Sequence, residues 1–85
     1  MPALEVTVRT KSAIRVWAGL PPDRLVFLDD PLSDFRPGGT NELRVRMNEE
    51  FQGEHGFPIS PQDWADLGPE TVRDVRDEAK KRLEE

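Results

Sequence analysis

Residues 71–83 read Thr71-Val72-Arg73-Asp74-Val75-Arg76-Asp77-Glu78-Ala79-Lys80-Lys81-Arg82-Leu83. Apolar residues recur along this stretch at helical spacing, at Val72, Val75, Ala79 and Leu83. That spacing predicts a helix with one buried face. Thr71 can cap it, and Asp74 can return a hydrogen bond to the Thr71 backbone, an Asp form of the capping box. Opposite charges four residues apart predict a solvated outer face, in the pairs Arg73–Asp77, Asp77–Lys81 and Glu78–Arg82.

A shorter helix is predicted immediately before this one. Ser60 is a favoured capping residue, and Pro61 suits the first helical position. Gly68-Pro69 ends the segment almost at once, which leaves a short helix or a single helical turn. We expect this short helix to hold Trp64 in the core, and we therefore predict that Trp64 is buried.

Two further segments fit a helix or a strand, and periodicity favours a helix only slightly in both. Leu43, Met47 and Phe51 lie four apart, as a buried helical stripe requires, but Leu43–Met47 also alternates like a half-buried strand. At the N-terminus, Leu4–Val8 alternates in the same way. A longer set there keeps helical spacing: Val6, Thr10, Ala13, Trp17 and Leu20. The pattern of residues alone leaves both interpretations open.

Length and charge limit the classes of function. Eighty-five residues make one domain, 1–85, with a small core. The candidate aromatic core residues are Trp17, Trp64, Phe27, Phe35, Phe51 and Phe57. A net charge of −5 argues against a nucleic-acid partner and against binding to anionic membranes.

Charged residues also interrupt the apolar N-terminal stretch, at Glu5, Arg9, Lys11 and Arg15. They predict neither a signal peptide nor a membrane-spanning helix there. The chain has no cysteine, which leaves no thiolate chemistry and no disulfide. We expect a cytoplasmic protein.

Several segments resemble the acyl carrier protein family in their order and spacing. They are Ala13-Ile14-Arg15-Val16-Trp17-Ala18-Gly19-Leu20-Pro21-Pro22-Asp23-Arg24-Leu25, Pro31-Leu32-Ser33-Asp34-Phe35, Asn48-Glu49-Glu50-Phe51, Gly56-Phe57-Pro58-Ile59 and Thr71-Val72-Arg73-Asp74-Val75. The resemblance covers roughly Val6 to Leu83 and implies a small all-α four-helix bundle, with three longer helices and a short one before the last. The alternative is an α+β domain with strands at Leu4–Val8 and Leu43–Met47.

The sequence departs from that family at the attachment site. Carriers place Asp-Ser-Leu at the head of their second helix, and the serine carries the phosphopantetheine arm. This chain has Gly38-Gly39-Thr40-Asn41 there. The segment from Asp34 to Phe51 is also expected to be shorter than the corresponding segment of a carrier, by about one helical turn. Thr40 is the only hydroxyl close by, and we expect it to be a turn or cap residue. Ser33 precedes its aspartate, the reverse of the family order. We therefore expect no cofactor.

The second helix also differs from the family in its charge. Carriers present an acidic face there to basic pockets on their enzymes, but this stretch carries Arg44 and Arg46 as well as Glu49 and Glu50. These four are the candidate partner-binding residues, and a different partner is expected because like charges repel. The resemblance implies a module without an arm that acts as an adaptor or regulator of a protein partner, with an enzyme of acyl or peptide metabolism as one candidate. The alternative is a genuine carrier of acyl or aminoacyl groups that uses Thr40 or Ser33.

Other candidate chemistry has little support in the sequence. His55 is the only histidine and lies in a glycine-flanked segment, so we expect an exposed loop residue. Asp29, Asp30 and Asp34 do not have the spacing of an EF-hand loop. No nucleophile stands at a spacing that a general base could serve. We predict neither an enzyme nor a metal site.

Overall fold

The computed structural model describes residues 1–84, which form four α-helices and one 3-10 turn. The helices are α1 (Ala3–Ala18), α2 (Thr40–Glu50), α3 (Pro61–Leu67) and α4 (Val72–Glu84), and the 3-10 turn is Leu32–Asp34. These residues contain no strand, only an isolated antiparallel bridge between Pro31 and Thr71. The predicted all-α bundle of three longer helices and a short one is confirmed. The alternative strands at Leu4–Val8 and Leu43–Met47 are wrong.

Helix α1 forms because its apolar residues are buried at helical spacing. The buried set is Val6, Thr10, Ala13, Ile14 and Trp17. The alternation at the N-terminus does not correspond to a buried face, since Leu4 and Val8 are both exposed. α1 packs against α2 and α4, so it is the helix around which the bundle is built.

Helix α2 buries the predicted stripe. Leu43, Met47 and Phe51 are fully buried, and Phe57 from the following turn stacks on Phe51 with ring centroids 4.9 Å apart. Arg9 of α1 crosses to this helix. Its guanidinium pairs with the Glu50 carboxylate at 3.2 Å, donates to the Glu50 carbonyl and lies 4.6 Å from the centre of the Phe51 ring. These contacts fasten α1 to the C-terminal end of α2.

Helices α3 and α4 begin at the predicted caps. Ser60 Oγ accepts a hydrogen bond from the Asp63 N–H at 3.1 Å, and Trp64 is buried as predicted. At α4, Thr71 Oγ1 accepts from the Asp74 N–H at 3.3 Å while Asp74 Oδ2 accepts from the Thr71 N–H at 3.1 Å. This reciprocal pair confirms the capping box. The buried face of α4 is the predicted one, with Val72, Val75 and Ala79 buried and Leu83 packed at its edge.

The outer face of α4 pairs differently from the sequence prediction. Glu78 and Arg82 form the expected pair at 3.1 Å. Arg73 instead binds Asp29 in the loop after α1, at 2.9 Å, and Asp77 binds its neighbour Arg76 at 2.7 Å. The expected Arg73–Asp77 and Asp77–Lys81 pairs are therefore replaced by contacts that spacing along one helix cannot reveal.

The loop of residues 19–39 contributes to the core through Val26 and Leu32. Phe27, which was expected in the core, is 58% exposed, and that prediction is wrong. The chain here is not helical, and because Val26 takes the inward position, Phe27 points outward. The loop lies against the start of α4, where the Arg73 N–H donates to the Leu28 carbonyl at 2.8 Å.

Candidate functional site

The head of α2 is the position at which the resemblance would place an attached group. Gly39 precedes the helix with φ +72°, and its carbonyl accepts a hydrogen bond from Trp17 Nε1 at 2.8 Å. The Arg36 guanidinium lies over this turn, 5.5 Å from the centre of the Trp17 ring, and pairs with Glu42 at 2.8 Å. A Cβ at Gly39 would stand 2.9 Å from the Arg36 guanidinium carbon. Arg36 and Trp17 therefore cover the turn that leads into α2.

A cleft of about 310 Å³ opens beside this turn, between the 3-10 turn, the head of α2 and the α3–α4 connection. Its lining residues are Pro31, Leu32, Ser33, Arg36, Gly38, Thr40, Pro69 and Glu70. Thr40 is the first residue of α2 and is half-buried, whereas Ser33 is exposed. The structure thus brings the two hydroxyl candidates, Thr40 and Ser33, to one cleft although the sequence separates them.

The four candidate partner-binding residues of α2 lie on different sides of the helix. Arg46 and Glu49 are exposed and pair with each other at 3.1 Å. Glu50 is half-buried in its pair with Arg9. Arg44 turns toward the start of α3 and donates to the Ile59 carbonyl at 3.0 Å. Arg46 and Glu49 remain the members of this set that are free to meet a partner.

A shallow groove of about 160 Å³ joins part of this set to α1. It is lined by Ala13, Val16, Arg46, Glu49 and Glu50. Val16 is 61% exposed, so an apolar side chain lies beside the Arg46–Glu49 pair. Apolar area bordered by charged residues is the usual composition of a protein-binding patch. We call these five residues the α1–α2 groove.

The remaining polar candidates are dispersed. His55 is exposed, as expected, at the edge of a cleft of about 510 Å³ between α3 and α4. In that cleft Arg82 is occupied by Asp63 at 3.0 Å and by the Gly56 carbonyl at 2.8 Å. Asp30 accepts a hydrogen bond from the Phe27 N–H at 2.9 Å. Among residues 1–84 no group of three or more histidine or acidic side chains is arranged to hold a metal ion.

Two features of the surface were not predicted from the sequence. Arg36 looked like an ordinary loop residue, because its contact with Trp17 depends on how the loop returns to α1. The exposure of Leu4 and Val8 was also missed, although the helical spacing of the buried set on α1 could have revealed it. None of the helices formed by residues 1–84 has the length and apolar character needed to cross a membrane.

Comparison of this chain with protein-family models, with curated proteins and with solved structures found no match. The resemblance to acyl carrier proteins therefore stays a prediction from the sequence.

Proposed function

We propose that this chain is a non-catalytic interaction module built like an acyl carrier protein but without a phosphopantetheine arm, and that it acts as an adaptor or regulator of a protein partner. The observation that carries the proposal is the head of α2. Gly39 and Thr40 stand where the resemblance would place Asp-Ser, and the Arg36 guanidinium covers the turn. The order of the helices, with a short α3 between α2 and α4, is the order that the resemblance to acyl carrier proteins implies.

The missing arm follows from the chemistry of attachment. Phosphopantetheine transfer needs a hydroxyl that a transferase can reach at the start of the second helix. Thr40 is a half-buried residue with a secondary hydroxyl, and its β-branched side chain is less free to rotate than that of serine. We therefore propose that Thr40 has only a structural role, in the first turn of α2.

The proposed contact surface is the α1–α2 groove. Arg46 and Glu49 supply opposite charges at its border, and Val16 supplies exposed apolar area. Their mutual ion pair is exposed and contributes about 0–1 kcal/mol to folding, so a partner can replace it at small cost. We propose a protein partner, with an enzyme of acyl or peptide metabolism as the candidate that the resemblance implies, and a cytoplasmic location.

Intact-mass spectrometry tests the absence of the arm. The chain is incubated with coenzyme A and a broad-specificity phosphopantetheinyl transferase, beside an acyl carrier protein that has its serine. We expect the carrier to gain one phosphopantetheine group and this chain to gain none. A gain on this chain that is lost in Thr40→Ala contradicts the proposal.

Such a gain would favour the alternative function, a genuine carrier of acyl or aminoacyl groups. The observation behind that alternative is that Thr40 and Ser33 share an open cleft of about 310 Å³. The variants Thr40→Ala and Ser33→Ala separate the two hydroxyls, because only one of them should abolish the modification.

A recovery experiment from the native cells tests the α1–α2 groove. The variant Arg46→Glu with Glu49→Lys reverses both charges while preserving the net charge. The matched control is Asp66→Gln with Gln62→Asp, which exchanges an exposed polar pair on α3 and also preserves the net charge. We expect the groove variant to lose the partner recovered with the original chain and the control to retain it. Equal recovery by both variants rejects this surface.

A further inference from the structure

A second surface lies on the side of α1 that faces away from the core. Leu4, Val8, Lys11 and Arg15 follow one another at helical spacing and share one face, which we call the α1 stripe. Leu4 is 76% exposed and Val8 is 57% exposed. The N-terminal half of the stripe is thus apolar and its C-terminal half is basic.

The loop after α1 extends this surface. Arg15 Nε donates to the Arg24 carbonyl at 2.7 Å, so residues 24 and 25 adjoin the basic end of the α1 stripe. Leu25 is 65% exposed, and the Arg24 guanidinium lies 5.6 Å from the centre of the Phe35 ring. The extended surface therefore consists of the α1 stripe with Arg24 and Leu25.

The three cations of this surface pair with no acidic side chain in the part of the chain that the structure describes. Within residues 1–84 no carboxylate oxygen lies within 4.0 Å of the charged nitrogens of Lys11, Arg15 or Arg24, although Arg46 and Arg73 each bind one. The chain as a whole carries a net charge of −5. A basic patch that stays unpaired on an acidic protein attracts an acidic ligand, and the adjacent exposed leucines add apolar contact area.

We infer that the α1 stripe with Arg24 and Leu25 binds an acidic amphipathic helix of a partner protein. Apolar side chains of that helix lie against Leu4 and Val8, and its carboxylates meet Lys11, Arg15 and Arg24. The stripe spans about 17 Å from residue 4 to residue 15, the length of three helical turns, so a helix can follow it lengthwise. This surface is separate from the α1–α2 groove, and the inference is independent of the proposed function.

Charge complementarity selects this occupant over a second copy of the chain. In a symmetric contact between two α1 helices that run parallel, Lys11 and Arg15 meet their own counterparts, and like charges repel. If the helices run antiparallel, the apolar half of each stripe lies against the basic half of the other. In neither arrangement do both the apolar half and the basic half of the α1 stripe meet a complementary surface. A partner helix with one apolar half and one acidic half complements both.

A synthetic helix provides the probe. It has about 18 residues, which is long enough for partial helicity in water. Leucines spaced three and four apart occupy one half of one face, and glutamates occupy the other half. The control peptide carries lysines in place of the glutamates. Amide chemical shifts of the full chain are followed during titration with each peptide, and the dissociation constant is measured at two salt concentrations.

We expect the acidic peptide to shift the amides of the α1 stripe and residues 24 and 25, and to bind more weakly at high salt. Val8→Ser and Lys11→Glu should each weaken binding about fivefold or more. The matched controls are Val45→Ser, at an exposed valine on α2, and Lys81→Glu, an exposed lysine on α4. Both controls should bind like the original chain.

Several results would overturn the inference. Equal weakening by Val8→Ser and Val45→Ser, or by Lys11→Glu and Lys81→Glu, removes the assignment to the stripe. Binding of the lysine peptide as tightly as the glutamate peptide removes the charge argument. Shifts of the same amides on self-association, on adding anionic lipid vesicles or on adding an oligonucleotide, without a response to the acidic peptide, identify a different occupant.

Discussion

Asn48 on α2 and Ile59 before α3 exchange two hydrogen bonds, so that the Asn48 side chain pairs with the Ile59 backbone. The Ile59 N–H donates to Asn48 Oδ1 at 2.8 Å, and Asn48 Nδ2 donates to the Ile59 carbonyl at 3.0 Å. Arg44, one turn earlier on α2, donates to the same carbonyl at 3.0 Å. Since Ile59 is buried, these bonds satisfy backbone groups that water cannot reach.

This arrangement predicts unequal costs for the two side chains. Asn48→Ala should lower the free energy of unfolding by about 2 kcal/mol, because the Ile59 N–H is left without an acceptor. Arg44→Ala should cost only about 0.5–1 kcal/mol, because the Ile59 carbonyl keeps its bond from Asn48. Urea unfolding of the chain and the two variants measures the difference.

The double variant provides the control. With Asn48→Ala and Arg44→Ala together, the Ile59 carbonyl loses both donors, so the cost should exceed the sum of the single costs by about 0.5 kcal/mol or more. Strict additivity contradicts a shared role at Ile59. A large cost of Arg44→Ala alone would show that Arg44 serves mainly to stabilise the fold through Ile59. That result would count against Arg44 as a partner-binding residue.

The two tryptophans should respond differently to replacement. Trp64 is buried and its Nε1 has no acceptor within residues 1–84, whereas Trp17 Nε1 donates to the Gly39 carbonyl. Trp64→Ala should cost about 3–5 kcal/mol through the cavity it leaves. Trp17→Phe should cost about 1 kcal/mol more than Trp64→Phe, because only Trp17 loses a hydrogen bond and because phenylalanine makes a weaker cation–π contact with Arg36.

Circular dichroism followed during urea unfolding compares these variants without depending on tryptophan fluorescence. Equal costs for the two phenylalanine variants would indicate that the Trp17–Gly39 bond adds nothing to stability. An unchanged stability in Trp64→Ala would contradict the burial of that side chain.

Local signals in the sequence were sufficient for α3 and α4. Ser60 and Thr71 cap these helices as their residue types predict, since a capping bond closes within a few residues. Spacing alone could not choose between helix and strand at Leu43–Met47, because a short apolar run fits both periods. What identifies this segment as a helix is the burial of every fourth residue, which continues from Leu43 and Met47 to Phe51.

Contacts between distant parts of the chain could not be predicted from the sequence. Phe27 was expected in the core on hydrophobicity, but the loop has no period that says which of Val26 and Phe27 turns inward. Arg36 gave no local signal for its place over Trp17. The candidate site depends on such contacts, so the sequence named Thr40 and Ser33 without indicating that they share a cleft.

Two glycines in the turn after α2 form a matched pair for a prediction about packing. Gly53 and Gly56 both have positive φ, at +84° and +89°, so alanine is strained at either position by about 1–2 kcal/mol. At Gly53 an added Cβ meets nothing within 4 Å. At Gly56 it would lie 2.6 Å from the Arg82 carbonyl oxygen of α4.

Gly56→Ala should therefore cost about 1–3 kcal/mol more than Gly53→Ala, because a backbone atom of α4 must move. Thermal unfolding of the two variants gives the comparison. If both variants melt at the same temperature, the turn and α4 are not in close contact at Gly56.

The final prediction concerns acid and Asp74 at the start of α4. Hydrogen bonds lower the pKa of the Asp74 carboxyl from its ordinary value, chiefly the bond from the Glu70 backbone N–H, with further bonds from Thr71. The Glu70 N–H reaches Asp74 Oδ2 at 2.9 Å. These donors favour the ionised carboxylate in the folded chain and are absent from it when the chain unfolds.

The folded pKa of Asp74 is thus below its unfolded pKa, so its contribution to stability is present above the unfolded pKa and is lost as the pH falls through the folded pKa. Asp74→Asn keeps an acceptor oxygen but does not titrate. Near pH 7 it should lower the free energy of unfolding by about 1 kcal/mol, the usual effect of weakening a helix cap. The difference from the original chain should shrink as the pH is lowered from about 5 to about 2.5. Urea unfolding at several pH values measures it, and a difference that stays constant over this range would show that the Asp74 carboxylate does not support the cap through its charge.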